Sequence, residues 1–78
     1  MRQLSTDEFM RYIDQAGQHY LVNPKENLAF RSYTKDGESH YFCKPEGGQE
    51  KEIRHDDESY NEAWFFSMVL TKEEYDNY

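Results

Sequence analysis

The chain has 78 residues, which is enough for one small domain and too few for two domains that each have a core. Its formal net charge is −7, from 16 acidic and 9 basic residues, and this balance disfavours direct binding to nucleic acid or to an anionic membrane. Aromatic residues make up 17% of the chain, whereas disordered segments are poor in them. We therefore expect a single folded domain over residues 1–78 with a core rich in rings.

The compartment is predicted from apolar stretches and cysteine usage. The N-terminal residues lack the apolar run of a signal peptide, and the longest mostly apolar run, residues 63–70, is far shorter than the ~20 residues of a membrane span. Cys43 is the single cysteine, so no disulfide can form within the chain, although small secreted domains usually need several. We expect a cytoplasmic protein, in the host cytoplasm if the gene belongs to a phage.

The first predicted element is an N-terminal helix over residues 6–16. Ser5 and Glu8 have the spacing of a capping box, and Leu4 and Phe9 flank that box as a hydrophobic staple. Phe9 begins an apolar stripe at helical spacing that continues through Tyr12, Ile13 and Ala16. These signals predict a helix that packs this stripe against the rest of the domain.

Strand patterns follow the helix. Period-two alternation predicts strands over residues 19–22, 28–33 and 40–43, and residues 35–37 form a hairpin loop in which Gly37 takes a positive φ. A polar fourth strand over residues 49–54 would lie at an edge of the sheet. The middle of the chain therefore predicts an antiparallel sheet of three to four strands.

The last third of the chain predicts a second helix and a short terminal one. Three residues are candidate N-caps of the second helix: Asp56, Asp57 and Ser59. The run 63–70 fits a buried helix or a buried strand by periodicity, and its spacing from Tyr60 favours the helix. Thr71 and Glu74 form another capping box, which predicts a short terminal helix. The predicted fold class is α+β, with an N-terminal helix, the sheet, a C-terminal helix and the short terminal helix.

Residues that could carry catalysis are sparse. His40 and Cys43 are three positions apart in a predicted strand, which places them on opposite faces, so Cys43 is predicted to be a buried apolar residue. A metal site would have to combine residues without any recognised ligand spacing, namely His40, Cys43, His55 and Asp57. We expect no enzyme activity, no cofactor and no metal. A small hydrolase or metal protein around Cys43 and the histidines is the weaker alternative.

Acidic residues are concentrated after His55, where seven acids stand against the single base Lys72. The natural complement of such a segment is a basic protein partner. The predicted partner-binding residues are Asp57, Glu58, Tyr60, Glu62, Glu73, Glu74, Tyr75 and Asp76. Imitation of DNA by these acids requires in addition that the terminal helix packs beside the second helix, because one helix alone carries too few charges to match the phosphate spacing of DNA.

In element order, size and charge, the chain resembles certain phage-encoded anti-CRISPR inhibitors of Cas9. The stretches that carry the resemblance are residues 56–62 and 71–76. Members of that group occupy the nuclease surface that reads duplex DNA, with acidic side chains in place of phosphates. The resemblance implies an inhibitor that blocks the basic nucleic-acid-binding surface of a partner enzyme, such as a CRISPR effector, by nucleic-acid mimicry.

A different hypothesis is a homo-oligomeric structural or adaptor protein. The aromatic run from Trp64 to Leu70 would then bury itself against a second copy of the chain, giving a homodimer or a larger assembly.

Overall fold

The computed structural model describes residues 1–15 and 17–78, which form an α+β fold with a six-stranded antiparallel sheet and three helices. The strand order across the sheet is β1-β6-β2-β3-β4-β5. In chain order the elements are β1 (Arg2–Gln3), α1 (Thr6–Gln15), β2 (Gln18–Asn23), β3 (Leu28–Lys35), β4 (Glu38–Pro45), β5 (Lys51–Ile53), α2 (Glu58–Phe66), β6 (Met68–Val69) and α3 (Lys72–Asp76).

Helix α1 begins at the predicted capping box. The Ser5 backbone N–H donates to Glu8 Oε1 at 2.9 Å, and the Glu8 N–H donates to Ser5 Oγ at 3.2 Å. Leu4 and Phe9, the predicted staple, are both buried. The helix prediction is confirmed through Gln15, and its last residue, Ala16, lies outside the described residues. In the part of the chain that the structure describes, no helix is long and apolar enough to cross a membrane.

Strands β2, β3 and β4 form a meander at the centre of the sheet. The turn between β3 and β4 consists of Asp36 and Gly37, whose φ values of 54° and 81° are the two positive values that a tight hairpin turn requires. The predicted fourth strand is also confirmed, because β5 pairs with β4 through Tyr41 and Ile53 and lies at the edge of the sheet. The three central strands extend beyond their predicted limits.

The sheet also contains β1 and β6, two strands that the sequence patterns do not indicate. The predicted helix over residues 63–70 is wrong in its second half, because α2 ends at Phe66 and Ser67 turns the chain with a left-handed φ of 52°. Val69 then pairs with Arg2 on one side and with Leu21 on the other. Backbone hydrogen bonds to two strands that are distant in sequence therefore override the local helical pattern.

The two faces of the sheet carry different helices. Leu21 of β2 lies in a cluster with residues of α1 and α2, among them Phe9 and Tyr60, and we call this the first face. The neighbouring residue Tyr20 points the other way and packs against Tyr75 of α3, on what we call the second face. Helices α2 and α3 therefore pack on opposite faces of the sheet.

Candidate functional site

Three of the acidic residues that follow His55 lie at the start of α2. Asp57 is the N-cap, and its Oδ1 accepts the Tyr60 N–H at 3.0 Å. Asp56 pairs with Arg54 at 3.2 Å, and both side chains are exposed. Glu58 lies in the first turn of the helix and is exposed, where the partial positive charge of the helix N-terminus favours an acid.

Glu62 binds residues of the same chain. Its carboxylate accepts from Asn23 Nδ2 at 2.9 Å and from Lys25 Nζ at 3.2 Å, and the hydrogen bonds from these two residues lower the pKa of Glu62. Asn23 is fully buried at the end of β2, and its Nδ2 also donates to the Ser59 carbonyl at 3.1 Å. Glu62 is therefore part of the attachment of α2 to the sheet.

The acids of α3 are also largely used within the chain. Glu74 completes the capping box with Thr71 and accepts a hydrogen bond from the N-terminal ammonium of Met1, and that bond, followed by the Thr71 N–H, lowers the pKa of Glu74. Asp76 pairs with Lys72 at 2.7 Å. Glu73 makes no ion pair with any described residue and is exposed.

The two tyrosines in the predicted partner-binding set are core residues. Tyr60 is 6% exposed and Tyr75 is 3% exposed, so the expectation that they supply contact area to a partner is wrong. The Tyr75 hydroxyl donates to Glu50 Oε1 at 2.6 Å, and Glu50 also accepts two hydrogen bonds from Arg31 at 2.8 and 2.9 Å. Burial and the adjacent carboxylate raise the pKa of Tyr75 far above its ordinary value.

The acids after His55 do not gather on one flank of the molecule. Those of α2 lie on the first face and those of α3 on the second, so α3 does not pack beside α2 as the mimicry prediction requires. The cause is β6, because Val69 belongs to the first face whereas Leu70 packs on the second. Four of the seven acids are also paired with cations of the same chain: Asp56, Glu62, Glu74 and Asp76.

Phe65 is a candidate functional residue that the sequence patterns did not indicate. Its side chain is 88% exposed, compared with 47% for Met10 on α1. Phe65 follows Glu58 and Asn61 at helical spacing, so the three lie on the same side of α2. We call the surface of Glu58, Asn61, Glu62 and Phe65 the α2 outer face. With the helix bounds known, this spacing would have identified Phe65 as an outward residue.

The rest of the aromatic run from Trp64 to Leu70 belongs largely to the fold. Trp64 is half-buried, and its ring packs edge-on against Phe9 with 5.3 Å between centroids. Leu70 is buried on the second face. Phe65, 88% exposed, is the most exposed residue of this run, and Phe66 beside it is half-buried.

Cys43 is buried on the first face, as predicted, and burial raises the pKa of its thiol. His40 lies on the opposite side of β4, where its ring stacks with Tyr33 at 5.1 Å between centroids. Within residues 1–15 and 17–78, no group of three or more histidine, cysteine, aspartate or glutamate side chains is arranged to hold a metal ion.

No family model matches this chain, and no curated protein or solved structure matches it either. The likeness to anti-CRISPR inhibitors therefore stays a prediction from element order, size and charge. What the protein does is inferred below from the surfaces of the chain itself.

Proposed function

We propose that the protein is a non-enzymatic binding module that contacts a basic protein partner through the α2 outer face. The observation that carries this proposal is the 88% exposure of Phe65 on an ordered helix. Transfer of a phenylalanine side chain from water to an interface is favourable by about 1.5–3 kcal/mol. Aromatic residues, phenylalanine among them, are also enriched in the cores of protein interfaces.

The charges around Phe65 favour a basic partner. Glu58 is exposed on the same side of α2, and the chain as a whole carries −7. A second copy of this chain is a less favourable occupant, because a symmetric contact through the α2 outer face would bring two Glu58 side chains together between two acidic molecules. The partner surface that complements the α2 outer face is an apolar pocket surrounded by lysine or arginine side chains.

Inhibition of a nucleic-acid-binding enzyme, such as a CRISPR effector, is the specific form of this function that the sequence resemblance implies. With α3 on the second face, a basic cleft that receives α2 contacts Glu58, whereas the acids of α3 lie on the other side of the sheet. We propose that the protein occupies such a cleft with α2, without reproducing the phosphate spacing of a duplex. Inhibition of this kind depends on binding through the α2 outer face, so the experiments on that face test it as well.

Two matched charge variants test which helix the partner contacts. Glu58 and Glu73 are both exposed glutamates in the first turn of a helix, and they lie on helices at opposite faces of the sheet. Glu58→Lys should weaken binding and inhibition, and its effect should diminish at high salt. Glu73→Lys changes the net charge equally and should leave binding nearly unchanged. Equal effects of the two variants would contradict docking through α2.

The partner itself is identified with a photo-crosslinking amino acid. The crosslinker is placed at position 65 and, as a control, at position 10 on α1, in cells that produce the protein. The crosslinked protein is then purified and its affinity for the unmodified chain is measured. Phe65→Ala should weaken that affinity by about 10- to 100-fold. An unchanged dissociation constant, or a monomer–dimer equilibrium of the purified chain that Phe65→Ala abolishes, would overturn the proposal.

A further inference from the structure

A cavity of about 680 Å³ opens at the edge of the sheet between α1, β1 and the segment that leads into α3. Strand β6 pairs with β2 only at Leu21, so the first residues of β2 extend past the end of β6. The cavity lies beside these residues of β2. Leu4, Val69 and Leu70 are the apolar residues of its lining, and Leu4 and Val69 pack on the first face of the sheet. Its volume is that of sites that bind small molecules, which occupy about 300–1,000 Å³.

The charge of this cavity is opposite to that of the protein. Acids outnumber bases by 16 to 9 in the chain, whereas the cavity is lined by three basic residues and two acidic ones. The three basic residues are Arg2, Arg11 and Lys72. Lys72 is paired with Asp76, and Glu74 with the N-terminal ammonium, so the charges of the lining left without an ion pair to a described residue are those of Arg2, Arg11 and Glu8. This excess of positive charge favours a negatively charged occupant.

Both acidic residues of the lining are already used as helix caps. Glu8 Oε1 accepts the Ser5 N–H at 2.9 Å, and Glu74 Oε1 accepts the Thr71 N–H at 3.0 Å. Glu74 Oε2 also binds the N-terminal ammonium. These carboxylates are therefore held by backbone donors at the ends of helices, which limits their pairing with the arginines.

The two arginines have no carboxylate partner in the described chain. Hydrogen bonds from Ser5 lower the pKa of Glu8, and the charges of Arg2 and Arg11 lower it further. Arg2 on β1 and Arg11 on α1 both line the cavity. Each guanidinium presents several donors in a planar arrangement that matches a carboxylate or a phosphate.

The half-buried Tyr12 is a further polar residue of the lining. Its hydroxyl accepts the backbone N–H of Tyr20, another residue of the lining, at 2.8 Å. Among the described residues, the Tyr12 hydroxyl proton has no acceptor. The cavity therefore combines an apolar wall with hydrogen-bond donors, and these donors can satisfy an anionic group.

We propose that this cavity binds a small organic anion, in which an apolar body carries one carboxylate or phosphate group. The apolar body packs against Leu4 and Val69, and the anionic group is held by Arg2, which is the cross-strand partner of Val69, and by Arg11. The α2 outer face contributes no residue to the cavity lining. The proposal is therefore independent of the proposed protein partner.

The test uses two probes, 1-naphthyl phosphate and octanoate, titrated into the isotope-labelled full chain and followed by the chemical shifts of its backbone amides. The neutral analogues 1-naphthol and octanol are the ligand controls. We expect at least one anion to shift the amides of Leu4, Tyr12 and Leu70 and to bind at least about tenfold more tightly than its neutral analogue. The probe that binds also distinguishes a phosphate from a carboxylate ligand. No binding by either probe, equal binding of the neutral analogue, or shifts confined to other regions would overturn the proposal.

Variants locate the charge contact. Arg2→Gln and Arg11→Gln should each weaken binding of the anion by about tenfold or more and leave the neutral analogue unaffected. Arg54→Gln is the matched control, because Arg54 is an exposed arginine that does not line the cavity. If the Arg2 variant fails to fold, the Arg11 variant and the neutral analogues give the same comparison. Equal affinities of the Arg11 and Arg54 variants would contradict the assignment.

Discussion

Removal of the Tyr75 hydroxyl by Tyr75→Phe should measurably destabilise the fold. Tyr75 is the buried residue of α3, and its hydroxyl donates to Glu50 at 2.6 Å. A hydrogen bond to a charged acceptor contributes about 1.5–3 kcal/mol. Glu50 retains both bonds from Arg31, and its side chain is 32% exposed, so water can replace the lost donor. We therefore expect a loss at or slightly below the lower limit of this range, about 1–1.5 kcal/mol.

The assay is urea unfolding at pH 7, with Tyr33→Phe as the control. Tyr33 is half-buried, and its hydroxyl makes no hydrogen bond to any described residue, so the control removes the same atom without a comparable bond. A domain of this size has a total stability of about 4–12 kcal/mol, so the expected difference is readily measured. Equal stability of wild type and Tyr75→Phe, or equal losses in the two variants, would refute this account of α3.

The pH dependence of the free energy of unfolding is a second, independent test of the Tyr75 hydrogen bond. Because the folded state raises the pKa of Tyr75, its contribution to stability is complete below the ordinary tyrosine pKa of about 10 and is lost as the pH rises above that value. Tyr75→Phe lacks the titrating group. The stability difference between wild type and Tyr75→Phe should therefore shrink between pH 9 and pH 11. A difference that grows over this range would contradict the assignment.

Three further predictions concern the fold and the acidic side of the pH range. Because Arg31 lowers the pKa of Glu50, this carboxylate should stabilise the fold above its ordinary pKa, and this stabilisation should disappear as the pH falls. Glu50→Gln should therefore reduce the acid-induced loss of folding stability, measured by circular dichroism. Asn23→Ala removes a fully buried side chain whose amide bonds α2, and it should cost about 1–3 kcal/mol in urea unfolding. Gly37→Ala should cost about 1 kcal/mol in the same assay, because the turn holds φ at 81°; no measurable loss would contradict the turn geometry.

The elements that the sequence predicted correctly are set by local contacts. Ser5 with Glu8 and Thr71 with Glu74 are capping pairs only three residues apart, so the residue pattern contains the whole interaction. The hairpin turn of Asp36 and Gly37 is likewise decided by two adjacent residues. The polar edge strand β5 follows the central hairpin directly, so its pairing is also close in sequence.

The missed elements depend on contacts between distant parts of the chain. β1 and β6 have two residues each, which is too short to show a period of two, and Val69 pairs with Arg2 and Leu21. This strand pairing also determined the outcome for the candidate site. A continuous helix through residue 70 would have kept the terminal segment near α2, whereas β6 leads the chain to the second face.

The two tyrosines of the predicted site were misplaced for a related reason. A buried tyrosine needs a partner for its hydroxyl, and the abundance of tyrosine suggested that several lie at the surface. Tyr75 finds its partner in Glu50, 25 residues earlier in the chain, and no sequence pattern links these two positions. The exposed Phe65 was missed although the spacing of the buried Tyr60 and Ala63 along a helix already directs Phe65 to the opposite side.

The central claim, that Phe65 is the contact residue of the protein, is tested most directly by hydroxyl-radical footprinting of the chain alone and in complex with its purified partner. The account predicts that oxidation of Phe65 falls several-fold in the complex, whereas oxidation of Met10, the exposed apolar control on α1, stays at its free rate. Oxidation of Phe65 at the same rate in both states would contradict the claim.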